Sequence, residues 1–66
     1  MSRLETYKHD LRAEIRCALR VQSFYDNGNE HTTADDVAEA WLDVKIAAER
    51  MAEAAQEAKE LELSAN

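Results

Sequence analysis

Apolar residues recur along this chain in two long stretches, and their spacing is helical rather than alternating. In the first stretch Leu4, Tyr7, Leu11, Ile15, Ala18 and Tyr25 share one arc, with Leu19 and Val21 at its edges, when successive residues are turned by about 100°. In the second, Val37, Trp41, Val44, Ala48, Met51, Ala55 and Ala58 repeat at spacings of four and three, a heptad-like seam. Between them the run Asp26-Asn27-Gly28-Asn29-Glu30-His31-Thr32-Thr33 has no large apolar residue and holds the only glycine. Asn27 or Gly28 suits the left-handed conformation that ends a helix. Thr33 suits the N-cap of the next one, with Asp35 and Asp36 favourably placed in its first turn. The pattern predicts a single helical domain over 1–66: helix 1 over about 3–25, a loop over 26–33, helix 2 over about 34–61 and a frayed tail over 62–66. A connection this short joins antiparallel neighbours. The fold class is therefore all-α, an antiparallel two-helix hairpin.

Composition strengthens the helical reading and exposes a weakness in it. Twelve alanines and no proline favour helix throughout. The seam of helix 2, however, is large at the loop end and small beyond residue 47, so each later position buries little area. A chain of 66 residues is marginal as a free-standing fold, and a single cysteine excludes an internal disulfide framework. Completion of the hairpin to a helical bundle by homo-oligomerisation is the expected remedy. Leftover apolar residues point the same way. Leu42 and Ile46 lie one turn apart off the main seam, among Asp35, Glu39, Glu49 and Glu53. Ala13, Cys17 and Phe24 form a weaker strip off the main face of helix 1. Trp41 is assigned to the core and also to recognition, because tryptophan is a frequent interface anchor. Cys17, Phe24, Trp41 and Met51 are the residues expected at an oligomer interface.

The net charge of −6 is unevenly distributed. Residues 1–25 carry a net +2 and the remainder a net −8. Lys8, Arg12, Arg16 and Arg20 follow one another at i, i+4, as do Asp35, Glu39 and Asp43, and again Glu49, Glu53 and Glu57. Such rows repel along a helix. In a hairpin they predict a flanking zipper, Arg20 near Glu39 and Arg16 near Asp43. Excess negative potential is expected on the outer half of helix 2, where it repels nucleic acid and acidic lipid and attracts a basic protein surface.

Little in the sequence points to catalysis. His9 and His31 are far apart and Cys17 has no spacing partner, so no metal set is expected. The segment Asp26–Glu30 lacks the length and terminal glutamate of a calcium loop. His9 and Cys17 stand two helical turns apart, about 12 Å by rise, which is too far for one to activate the other. One glycine cannot build a phosphate loop. No cofactor, no catalytic residue, no membrane span and no leader segment are expected, and a lone cysteine suits a reducing cytoplasm.

These features lead to a small acidic, non-enzymatic interaction protein that binds a larger protein to inhibit or adapt it. In size, composition and charge the chain resembles the small acidic helical inhibitors that phages and mobile elements encode against host nucleases and defence complexes. That resemblance implies a host cytoplasm as the place of action; no sequence motif carries it. The expected partner-binding residues are Leu42, Ile46, Glu39, Glu49, Glu53 and Glu57. The alternative is an oligomeric protein that sequesters a small anionic ligand, such as a nucleotide, on the Arg12/Arg16/Arg20 stripe, since arginine suits bidentate phosphate contacts. A second alternative is a structural coiled-coil piece of an assembly.

Overall fold

In the computed structural model, which describes residues 2–65, α1 spans Arg3–Asp26 and α2 spans Ala34–Ala65. Both helices begin on the side-chain chemistry their sequences provide. The Ser2 hydroxyl accepts the Glu5 amide at 3.2 Å and caps α1. At α2 the capping is reciprocal: the Asp36 amide donates to the Thr33 hydroxyl at 3.3 Å, and the Thr33 amide donates to the Asp36 carboxylate at 2.9 Å.

The end of α1 is a Schellman turn. The Asn29 amide reaches back to the Phe24 carbonyl at 3.0 Å, and the Gly28 amide to the Tyr25 carbonyl at 3.1 Å. Of the two left-handed candidates, Gly28 takes that conformation, at φ +79°, whereas Asn27 stays at φ −85°. Asn29 then holds the loop by accepting the His31 amide on its side-chain oxygen at 2.8 Å.

The two helices run antiparallel. Arg3 meets Glu57 at one end and Gln22 meets Trp41 at the other. The expected all-helical hairpin is therefore observed. Helix 2 is longer than expected, because Glu62, Leu63 and Ser64 contain no glycine or proline to stop it, and it continues through Ala65. The expected frayed tail is thus helical as far as it is described; Asn66 lies outside the described residues.

The seam follows a strict heptad frame in both helices. On α1 it consists of Leu4, Tyr7, Leu11, Glu14, Ala18 and Val21; on α2, of Val37, Ala40, Val44, Ala47, Met51, Ala54 and Ala58. All of these are buried or half-buried. Two expectations are corrected. On α2 the second seam position is Ala40, Ala47 and Ala54, not Trp41, Ala48 and Ala55. On α1, Glu14 takes the place expected for Ile15. Alanines let the two backbones approach closely, and a tryptophan in the same row would hold them apart. Trp41 and Ile15 are displaced to the flank. Among the described residues the fully buried ones are Ala18, Ala47 and Ala54, and no large side chain is fully buried.

The result is a rod. Its Cα extents are 56 × 18 × 12 Å and its radius of gyration is 15.8 Å, against about 11 Å for a compact chain of this length.

Candidate functional site

A flat hairpin has two broad sides, and heptad geometry assigns each flanking residue to one of them. On one side, Arg3 pairs with Glu57 at 2.7 Å. The same side holds a groove between Asp10, Ala13 and Glu14 of α1 and Asp43, Ile46 and Arg50 of α2. A second groove runs from Cys17 and Val21 to Asp36 and Glu39. This acidic side carries Asp10, Asp36, Glu39, Asp43, Glu53, Glu57 and Glu60 against Arg3, Arg20 and Arg50.

The opposite side is different in kind. The Trp41 indole N–H donates to the Gln22 side-chain oxygen at 3.1 Å, which satisfies its one polar atom and fixes the ring at the helix edge. Next to it on α1 are Arg12, Ile15, Arg16 and Leu19, which line a shallow groove. Ala38, Ala48, Ala52 and Ala55 continue this side along α2. Its charged residues are Lys8, Arg12, Lys45 and Lys59 against Glu5, Asp26 and Glu62. Between residues 12 and 22 of α1 and 38 and 55 of α2 it holds no acid. Among the described residues, three of the nine exposed large hydrophobic side chains lie here: Ile15 is 36% exposed, Leu19 56% and Trp41 37%.

Leu42 and Ile46 are also open to solvent, 56% and 43% exposed. Leu42 lies on the back of α2, directly opposite the seam, and Ile46 one turn on, toward the acidic side. Glu39, Glu49 and Glu53 are exposed on the same ridge. The six partner-binding candidates therefore form one continuous strip, with Glu57 at its end beside Arg3. That end is held by a guanidinium that also lies 5.7 Å from the centre of the Tyr7 ring. Tyr7 first and Glu57 second raise the pKa of Arg3 above the ordinary arginine value. The Arg3–Glu57 pair is solvent-exposed on both sides and contributes little to stability.

The four residues expected together at an oligomer interface are separated. Met51 lies within the hairpin's own seam. Cys17 and Phe24 lie on the acidic side, both exposed, and Trp41 on the other. The signal that would have resolved this is the unbroken heptad frame itself: from Leu4 to Val21 and from Val37 to Ala58, Glu14 is its one polar residue.

Arg12, Arg16 and Arg20 are exposed along the outer surface of α1. The expected zipper of Arg16 with Asp43 and Arg20 with Glu39 is not formed; among the described residues, Arg3–Glu57 is the one ion pair. Arg16 lies on the back of α1, and Arg20 and Glu39 occupy opposite outer shoulders of the acidic side. Among the described residues no three histidine, cysteine or acidic side chains are grouped to hold a metal ion. Among them, too, no helix is long and apolar enough to cross a membrane. In comparisons with known proteins no family model matches the chain. Likewise, no curated protein and no solved structure matches it significantly.

Proposed function

We propose that this chain is a small interaction protein, not an enzyme. In this reading it self-associates and uses the outer strip of α2 to bind a larger protein, which it blocks or adapts in the manner of small acidic inhibitors. The observation that carries the reading is the exposure of Leu42 and Ile46 on a ridge of carboxylates. Apolar side chains one turn apart on a helix are anchors for a groove, and the glutamates around them select a groove with a basic rim. Such a partner desolvates the leucine and isoleucine and neutralises Glu39, Glu49 and Glu53 in one step. A row of carboxylates at helical spacing also imitates phosphates, so the basic surface of a nucleic-acid-binding protein fits the strip. The single thiol, Cys17, suits a reducing cytoplasm as the place of action.

The test is capture from host lysate with the wild-type chain and with Leu42→Asp, followed by titration of the captured protein once identified. Wild type should retain one predominant partner. Leu42→Asp should weaken binding at least tenfold while keeping its helical spectrum and its mass in solution. Added salt should weaken the wild-type complex. Equal binding by both chains rules out the strip as the working surface.

A further inference from the structure

We infer that the side carrying Ile15, Leu19 and Trp41 is the self-association face, and that its occupant is a second copy of this chain, packed antiparallel to make a four-helix bundle. This inference rests on the self-association in the proposed function and assigns it a face and an orientation. Three observations carry it.

The first is need. Among the described residues the buried ones are Ala18, Ala47 and Ala54 and the larger seam residues are only half-buried, which leaves little apolar area for two long helices to hold each other. A second layer over the Trp41 side supplies what is missing. That side is a 56 × 18 Å rectangle of backbone, or about 1,000 Å², comparable to the roughly 800 Å² each partner contributes to a stable complex.

The second is charge. The acidic side has seven carboxylates against three arginines, so two copies meeting there would stack like charge on like. The Trp41 side has four cations against three acids, and the acids lie at its two ends. A second copy docks on this side without that repulsion.

The third is shape. The bulky residues Ile15, Leu19 and Trp41 occupy the half nearer the loop. Ala48, Ala52 and Ala55 occupy the half nearer the open end. A twofold axis lying in the contact plane, perpendicular to the rod and passing near Ala48, lays each bulky half on the other copy's small half. A parallel pairing, with its twofold along the rod, would lay bulky half on bulky half and small half on small half, with each α2 over the other copy's α1.

Sedimentation equilibrium, circular dichroism and cross-linking test this together. Wild type should have twice the 7.5 kDa of one chain. Leu19→Glu should lose at least tenfold in dimer affinity, whether the released chain stays helical or unfolds. Leu42→Glu, on the other surface, should remain dimeric. In a Cys17→Ser background, Ala48→Cys should form a disulfide dimer on mild oxidation and Ala38→Cys should not. A stable helical monomer in wild type overturns self-association itself. A dimer dissociated by Leu42→Glu but not by Leu19→Glu overturns the face alone. Absence of cross-linking through Ala48→Cys in a dimeric chain overturns the orientation, and concentration-dependent growth beyond the dimer overturns the closed twofold pairing.

Discussion

Glu14 is the one charged side chain in a seam otherwise lined by apolar residues, where it is half-buried. It borders the groove that also holds Asp10, Asp43 and Arg50, where carboxylates outnumber the one cation, and it takes up a position where a leucine would pack against Ala47. Replacing it removes a repulsion and buries apolar area in a molecule that has little. Glu14→Leu should stabilise the fold by about 1 kcal/mol, which for a chain of this size raises the melting temperature by about 4–8 °C. Thermal unfolding followed at 222 nm at one fixed protein concentration measures it, and an unchanged or lowered melting point would show that Glu14 is already well solvated at the rim. Other single residues act as their chemistry requires. Thr33 and Asp36 cap α2 reciprocally, and among the described residues Gly28 alone takes positive φ. These local roles were legible in the sequence, because a cap or a left-handed turn depends on a few neighbours and not on what packs across the molecule.

At the scale of the helix, legibility depends on size as much as on period. Two frames fit α2 equally well by spacing, one through Trp41, Ala48 and Ala55 and one through Ala40, Ala47 and Ala54. Placing the largest apolar residue inside selects the first. The structure takes the second, because the quantity that decides a two-helix seam is how closely the backbones approach, and alanine sets that distance. On α1 the frame shared with Leu11 and Ala18 places Glu14 inward and Ile15 on the flank, a choice that residue size does not explain. Close approach has a measurable consequence. Ala47→Leu adds three carbons where Ala47 is 7% exposed, and it should destabilise the hairpin by about 1–3 kcal/mol through overpacking. Gln56→Leu, which places a similar side chain on the exposed back of α2, should leave the melting temperature nearly unchanged. If Ala47→Leu instead stabilises the fold, the helices are not held together by small residues.

For the whole molecule, the balance of charge decides how it responds to its surroundings. The acidic side holds most of the net −6, and the one ion pair bridging the helices among the described residues is solvent-exposed. Carboxylates at i, i+3 and i, i+4 lie about 5–6 Å apart, and each such like-charge pair opposes folding by a few tenths of a kcal/mol. Screening at that range takes concentrated salt, since the Debye length falls from about 10 Å at 0.1 M to about 3 Å at 1 M. Sodium chloride added over that range should therefore raise the melting temperature, as relief of many repulsions outweighs the loss of one weak attraction. Charge neutralisation provides the control. The triple variant Glu39→Gln, Glu53→Gln, Glu60→Gln should melt higher than wild type in dilute salt and respond less to its addition. A melting temperature that falls with salt would mean that attractions between the helices dominate. Salt should act in the opposite direction on the proposed complex, weakening attachment of the Leu42 strip to a basic partner. The carboxylates that strain the isolated molecule are the ones a basic surface would neutralise. Stability and binding that shift together with salt would break that link, because the acidic strip could not then be both the main internal repulsion and the main external attraction.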